Sequence, residues 1–289
     1  MKLISLIAVG CVLRFAATVH GQTEIMPTHR DLEFAKAGEH RLLLDLYLPK
    51  EKGAQLLVWI HGGAWRRGSK NSMPLGALLK EGFAIASVDY RLTPVAKFPA
   101  NVHDIKAAIR WLRAHAGKFG YDAQKVAIAG ASAGGHLVAL VGVSNGHPKL
   151  EGTIGAHGDQ SSDVDVIVSF YGASNLTTIL NQSTPHGLSV RVPALELLLG
   201  GHPDKHPEIA KLASPVFHVD AKDPPLLLIH GDQDPQMPIN QSLELLGRYL
   251  GKKRKVGFEV IFGGRHGGRE FYDEKRIALV KKFLDKHLN

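Results

Sequence analysis

The sequence has almost no cysteine and no long apolar run. One cysteine, Cys11, occurs in 289 residues, so intrachain disulfides are excluded and a buried core must supply the stability. No apolar run reaches the roughly 20 residues that a membrane-spanning helix needs. Histidine and carboxylate clusters with zinc-ligand spacing are also missing, as is a phosphate-binding G-x-x-x-x-G-K-[ST] loop. We therefore predict no membrane span, no metal ion and no cofactor.

The first 21 residues have the pattern of an export signal. Lys2 gives a positive start, residues 3–13 form a short apolar run, and small residues follow. Cys11 lies inside this run, and the apolar stretch before it is too short for a lipid-attachment site. We expect residues 1–21 to be a signal peptide, residues 22–289 to form the mature domain, and the protein to be secreted or periplasmic.

Acidic residues are outnumbered by basic ones, which gives a formal net charge of +8. Part of the excess lies in residues 252–255, between two glycines, as in a solvated turn between a helix and a strand. This cluster has no interleaved aromatic residues and belongs to no nucleic-acid-binding motif. We predict no nucleic-acid partner, and the sequence sets no oligomeric state.

Short apolar runs alternate with helical patterns over most of the chain, which predicts a largely parallel sheet with helices on both faces. The predicted strands cover residues 42–48, 56–60, 83–88, 126–129, 166–170, 226–229 and 256–262. Helices are predicted at residues 104–115, with Asp104 as a candidate N-cap, and at 135–143 and 242–250. Residues 145–163 and 175–220 look irregular, and we expect them to form a small cap or pocket walls that set substrate preference.

A G-x-S-x-G pattern at residues 130–134 lies between a predicted strand and a predicted helix. A sharp strand-to-helix turn needs glycine on both sides and exposes the serine hydroxyl above the edge of the sheet. Ser132 is therefore the candidate nucleophile. The alternative is a glycine-rich turn with no catalytic residue, and such a turn does not require a strand before it and a helix after it.

A serine nucleophile needs a histidine base that is oriented by a carboxylate. With 16 histidines in the chain, residue type cannot select one. The usual order on such a sheet is serine, acid, histidine, which leaves His266, in a glycine-rich loop after the last strand, and His287, on a solvated C-terminal helix. We predict His266. For the acid we favour Asp234 over Asp232, since an aspartate early in a tight turn commonly binds backbone amides.

Backbone donors for a negatively charged oxygen are predicted at the end of another strand. The segment H-G-G-A-W at residues 61–65 offers the amides of Gly62 and Gly63 with no side chain in the way. Ala133, directly after the nucleophile, offers a further amide. These three residues are the candidate oxyanion and substrate contacts.

Five motifs in this order resemble the hormone-sensitive-lipase-like carboxylesterases, and bacterial esterases of the bifunctional feruloyl and acetylxylan esterase type in particular. They are H-G-G-x-W at 61–65, V-D-Y-R-L at 88–92, G-x-S-x-G-G at 130–135, H-G-x-x-D at 230–234 and G-x-H at 264–266. The resemblance spans roughly residues 30–289. It implies an α/β-hydrolase fold with a mostly parallel sheet of eight strands and a small cap, and it implies that Asp89 and Arg91 are structural.

The resemblance also implies a serine carboxylic ester hydrolase that acts on short-chain or aromatic acyl esters, including feruloyl or acetyl esters of plant polysaccharide. Typical hormone-sensitive lipases have H-G-G-G where this chain has H-G-G-A. Arylformamidases also have the H-G-G-A-W form, so a formamidase or a broad small-molecule carboxylesterase is the alternative. A non-catalytic binding protein on the same fold is disfavoured, because binding alone would not require the whole set of catalytic residues.

Overall fold

Eight strands form one mixed sheet in the computed structural model, which describes residues 25–289. They are β1 (His29–Ala37), β2 (His40–Tyr47), β3 (Ala54–Ile60), β4 (Ala84–Val88), β5 (Tyr121–Ala131), β6 (Val166–Phe170), β7 (Leu226–Gly231) and β8 (Val256–Ile261). Their spatial order is β1-β2-β4-β3-β5-β6-β7-β8. The β1–β2 and β2–β4 pairs are antiparallel, and the others are parallel. The predicted fold class is confirmed.

The central strands are those with continuous apolar sequence. Every residue of β4 and of β6 is buried, because helices cover both faces of the sheet. The edge strands differ, since β1 mixes charged and apolar residues and β8 is half-buried over most of its length. Strand β1 was not predicted because its sequence carries neither a continuous apolar run nor a regular alternation.

Nine helices among the described residues flank the sheet. They are α1 (Gly76–Lys80), α2 (Ala100–Phe119), α3 (Ala133–Gly142), α4 (Pro148–Glu151), α5 (Ile179–Gln182), α6 (Pro185–Leu199), α7 (Pro207–Leu212), α8 (Asn240–Gly251) and α9 (Glu274–Leu288). Helices α2, α3 and α8 pack into one apolar core, and α1 and α9 pack into a second core on the opposite face. The sheet is therefore enclosed on both sides.

The prediction that Asp104 caps a helix is wrong, because Pro99 is the N-cap residue of α2. Helix α2 begins at Ala100, so Asp104 lies in its second turn, fully buried. The carboxylate accepts hydrogen bonds from the Arg91 guanidinium at 2.7 and 2.9 Å, and from the Arg91 amide at 2.8 Å. This bidentate pair fixes the chain after β4 to α2.

The two segments expected to be irregular differ from that expectation and from each other. Residues 175–220 contain α5, α6 and α7, and α6 lines the pocket at the carboxyl ends of the parallel strands. Residues 145–163 instead pack against α2, where Glu151 accepts hydrogen bonds from Lys106 at 2.9 Å and Arg110 at 2.7 Å. Only the later segment contributes walls to the pocket that contains Ser132.

The predicted signal peptide, residues 1–21, and Cys11 lie outside the described residues. Within residues 25–289, no helix combines the length and the apolar character required to cross a bilayer.

A buried histidine joins three parts of the fold. The His136 ring, on α3, accepts a hydrogen bond from Trp65 Nε1 at 3.1 Å through Nδ1. Its Nε2 donates to the carbonyl of Ala213, just after α7, at 2.7 Å. These two bonds require the neutral ring, and complete burial lowers the pKa of His136 to about 4.

His136 should make the stability of the protein depend on pH. Its folded-state pKa is below the unfolded value of about 6.5, so its contribution is complete above pH 6.5 and is lost as the pH falls toward 4. We expect the free energy of unfolding in urea to fall, for this reason, by on the order of 3 kcal/mol between pH 7 and pH 4.

The variant His136→Gln can keep both hydrogen bonds without titrating, and it should flatten this part of the pH profile. As a control, His40→Gln removes an exposed imidazole and should leave the profile unchanged. Equal pH profiles for His136→Gln and wild type would contradict the assignment.

Candidate active site

The backbone at Ser132 is held in a left-handed conformation between β5 and α3. Its φ is 55° and its ψ is −117°, values that few residues other than glycine adopt. The turn is tight, since a Cβ atom at Gly134 would lie 2.1 Å from the carbonyl oxygen of Ile60 at the end of β3. The turn places the Ser132 side chain, 8% exposed, on the wall of a pocket above the sheet.

The predicted serine, histidine and aspartate lie together at the carboxyl ends of the strands. The Ser132 hydroxyl is 2.8 Å from Nε2 of His266, which lies in the loop after β8. Nδ1 of the same ring donates to Oδ2 of Asp234, in the loop after β7, at 2.6 Å. With its proton on Nδ1, the imidazole has a free lone pair on Nε2 that can accept the serine proton.

The Asp234 carboxylate is buried and fully hydrogen-bonded. Oδ1 accepts from the backbone amides of Gln236 and Met237, each at 2.8 Å. Nε2 of His230 lies 3.4 Å from Oδ2 and donates mainly to the Met237 carbonyl at 3.0 Å. Burial alone would raise the pKa of Asp234, but the hydrogen bonds from His230, His266 and the backbone hold that pKa well below its usual range. The carboxylate is therefore ionised at any working pH.

Asp232, the competing acid, makes a backbone contact instead. Its Oδ1 accepts from the amide of Gly263 at 2.7 Å, and its side chain does not contact the imidazole. This bond fixes the start of the loop that carries His266. Asp234 therefore bonds to the imidazole ring, whereas Asp232 bonds to the backbone of the loop.

The H-G-G segment lies directly against the nucleophile. A Cβ atom at Gly62 would be 3.3 Å from the Cβ of Ser132, and no backbone carbonyl of residues 25–289 accepts from the amides of Gly62 or Gly63. Ala133 is the first residue of α3, so its amide has no partner within the helix. The His61 ring stacks on Tyr90, with ring centres 4.5 Å apart, and fixes the segment from below.

A pocket of about 490 Å³ opens above Ser132. Tyr171 and Tyr272 form one wall, where their hydroxyls are 3.0 Å apart. Helix α6 forms the opposite wall, and Arg191 lines the pocket from it. The N-cap residue of α6, Thr184, donates its hydroxyl proton to the Pro235 carbonyl at 2.7 Å, which ties this helix to the loop that carries the acid.

Among the residues that support or line this site, His230, His136 and Arg191 were not predicted, and neither were the wall residues Tyr171 and Tyr272. His230 belongs to the H-G-x-x-D motif, and its position near the end of a strand is the signal that could have indicated a partner for the nearby acid. His136 could have been noted as a histidine within the apolar helix after the nucleophile. Nothing in the sequence around Arg191 indicates that it is buried beside the pocket.

The described residues contain no cluster of three or more histidine, cysteine or carboxylate side chains that could hold a metal ion. The groups that are present can carry out nucleophilic attack on a carbonyl group. They supply a hydroxyl beside a neutral base, an ionised acid behind that base, and unpaired amides for the charge that develops on oxygen.

Replacing Asp234 should affect kcat, whereas replacing Asp232 should affect stability. Asp234→Asn should lower kcat by roughly 10⁴-fold, because an amide cannot stabilise the imidazolium and can hold the ring in the wrong tautomer. The matched control, Asp232→Asn, keeps an oxygen that can accept from the Gly263 amide but loses the charge that strengthens this bond, a contact worth about 1 kcal/mol, so it should lower the thermal midpoint slightly with little effect on kcat. Both variants can be compared on one activated ester at pH 8, and the reverse pattern would exchange the two roles.

Comparison with known proteins shows which proteins this chain is similar to. The BD-FAE family profile matches residues 44–249, a range that includes Ser132 and Asp234 and ends before His266. The esterase LipC of Mycobacterium tuberculosis is 36% identical over 78% of this chain and 56% of its own length. The chain thus spans about half the length of the curated relatives that it matches.

Two solved structures are similar over almost their whole length. A truncated carbohydrate esterase from gut microbiota is 31% identical, with a TM-score of 0.82, over 92% of this chain and 98% of the other. An esterase of the Planctomycetes species Thermogutta terrifontis, solved with butyrate bound, is 26% identical, with a TM-score of 0.73, over 89% and 93%. By sequence and by fold, this chain belongs to the BD-FAE family, among the α/β-hydrolase esterases that resemble hormone-sensitive lipase.

Proposed function

We propose that this protein is a serine carboxylesterase that hydrolyses short-chain or aromatic acyl esters, with acetyl and feruloyl esters of plant polysaccharide as the leading substrates. One observation carries the proposal. An unbroken series of hydrogen bonds runs from Asp234 through His266 to the Ser132 hydroxyl, at 2.6 and 2.8 Å, and ends in an open pocket.

In the first half of the proposed reaction, the Ser132 oxygen attacks the ester carbonyl while Nε2 of His266 takes the hydroxyl proton. The carbonyl oxygen becomes negative and is stabilised by the amides of Gly62, Gly63 and Ala133, each typically worth a few kcal/mol. Asp234 stabilises the imidazolium that forms. The bond to the leaving alcohol then breaks, and that alcohol takes the proton from Nε2.

In the second half, water takes the place of the alcohol. His266 removes one of its protons as the water oxygen attacks the acyl carbon, and a second tetrahedral species forms on the same amides. The bond to Ser132 breaks, the serine oxygen recovers a proton from Nε2, and the carboxylic acid leaves. Each proton that His266 accepts is returned within the same half-reaction.

The substrate class is proposed from the pocket and from similar proteins. About 490 Å³ is enough space for one short or aromatic acyl group with part of its alcohol. The paired tyrosines offer an aromatic wall and polar hydroxyls to such groups. One similar structure is described as a carbohydrate esterase and another as an esterase with butyrate bound.

We propose export on the sequence pattern of residues 1–21 alone. The expected site of action is outside the cytoplasm, where polymeric esters are accessible. N-terminal sequencing of protein recovered from the periplasm or medium of an expressing bacterium tests this, and a cytoplasmic protein with an intact N-terminus would contradict it.

Activity should fall steeply beyond about six acyl carbons. Each additional methylene group contributes about 0.8 kcal/mol only where it is buried, and a longer chain would meet the charged rim of this pocket. The test measures kcat/KM on p-nitrophenyl acetate, butyrate and octanoate, with methyl ferulate, acetylated xylan and N-formylkynurenine alongside. Faster turnover of long-chain triglyceride than of butyrate would contradict the prediction, and cleavage of N-formylkynurenine alone would favour a formamidase.

Ser132→Ala should fold normally and lose nearly all turnover. Loss of a serine nucleophile lowers kcat by roughly 10⁶-fold, and the donors and binding contacts that remain give only a small residual rate. Ser189→Ala, at an exposed position on α6, is the control and should match wild type. An esterase rate near that of wild type in Ser132→Ala would exclude this serine as the nucleophile and favour another reaction centre.

A further inference from the structure

Arg191 is a buried cation without an anion. Its side chain is 1% exposed, and neither Nε nor Nη1 has a hydrogen-bond partner among residues 25–289. No carboxylate of that part of the chain lies within ion-pair distance of it. Burial lowers the pKa of Arg191 to about 10, even though the charge of Asp234 opposes this shift. The guanidinium is therefore charged at neutral pH, and an unpaired buried charge costs considerable free energy.

The contacts that Arg191 does make leave its donors unused. Cζ lies 5.8 Å from the centre of the Trp65 ring, a cation–π contact that gives Nε and Nη1 no hydrogen-bond acceptor. Asp234 is not its partner, because both carboxylate oxygens are occupied by two backbone amides and His266. Packing alone thus does not account for a guanidinium at this position.

The pocket wall contains further positive charge and no negative charge. Three arginines line it, the half-buried Arg66, the exposed Arg67 and Arg191, and no aspartate or glutamate of the described chain does. Arg66 is close enough to Arg191 for its charge to oppose protonation there. Neither Arg66 nor Arg67 forms an ion pair within residues 25–289. The field in the pocket favours an anionic occupant.

We propose that Arg191, with Arg66 at the pocket rim, binds a carboxylate carried by the substrate, so that the preferred esters bear a second, ionised acid group. The planar guanidinium matches a carboxylate in a bidentate arrangement, and such a partner would balance its buried charge. This inference rests on the proposed esterase function. The carboxylate can belong to the acyl half, as in a hemiester of a dicarboxylic acid, or to the alcohol half, as in an ester of an acidic sugar.

Matched ester pairs test the proposal and locate the carboxylate. For the acyl half, kcat/KM is measured on p-nitrophenyl hemisuccinate and p-nitrophenyl butyrate, which share a leaving group. For the alcohol half, the pair is 4-acetoxybenzoate and its neutral amide, 4-acetoxybenzamide. The quantity compared is the ratio of the anionic to the neutral ester, taken for wild type, Arg191→Met and Arg191→Lys, since intrinsic differences in ester reactivity cancel between enzymes.

In one of the two pairs, Arg191→Met should lower this ratio by roughly 10- to 100-fold, the usual effect of losing a charge-assisted hydrogen bond. Arg191→Lys keeps the charge without the planar fork and should lower the ratio less. The matched control is Arg248→Met, at an exposed position on α8, and it should leave both ratios unchanged. If both ratios stay at their wild-type values in Arg191→Met, the proposal is wrong.

A measurement on wild type alone covers the case in which Arg191→Met does not fold. Phenylboronic acids bind active-site serines, so carboxy- and carbamoyl-substituted phenylboronates, at the 3 and 4 positions, can compete with butyrate ester. The carboxylate should bind more tightly than its amide by about tenfold at one position or both. Equal or weaker binding at both positions overturns the proposal. Absence of turnover on every ester would instead contradict the esterase function itself, so the two failures are distinguishable.

Discussion

Close contact between helix α3 and the end of β3 constrains the backbone around the nucleophile. Gly134 has no room for a side chain against Ile60, and the tight turn between β5 and α3 holds Ser132 in a left-handed conformation. Such a conformation costs on the order of 1 kcal/mol or more. It is held by two backbone hydrogen bonds, from the Ser132 amide to Phe170 at 2.9 Å and from the His136 amide to Ser132 at 3.0 Å. The H-G-G segment, directly after β3, lies against the same turn, since Gly62 adjoins Ala131 and Ser132.

Much of the fold is readable in the sequence because burial and composition coincide in its centre. The predicted range for β6 matches the structure at both ends, since all five residues are apolar or small and lie under helices on both faces. At the edges this link is lost, as β1 shows. Helix starts were less predictable because α2 begins just after a proline, and Asp104, which resembles a cap in sequence, serves instead as the buried partner of Arg91.

In the candidate site, too, some residues are predictable from local sequence and others are not. Ser132 could be predicted because its G-x-S-x-G motif specifies a strand-to-helix turn, which is a local feature of the backbone. A local rule on turn aspartates favours Asp234 over Asp232, but the contacts that distinguish the two lie about thirty residues away, in the loop that contains Gly263 and His266. Arg191 is harder still to predict, since it becomes buried only when α6 packs over the strand ends. Long-range docking, and not local propensity, decides such positions.

The last strand, β8, pairs with only one neighbour, and it carries the loop that holds His266. Its other edge has no strand partner within the described chain, and its side chains are only half-buried except at Ile261. Edges of this kind open at lower free energy than the centre of a sheet. Ser132 follows a central strand and His266 follows an edge strand, so warming should separate His266 from Ser132 while most of the sheet stays intact. Loss of function on heating would then begin with the reversible breaking of the hydrogen bond between Ser132 and His266.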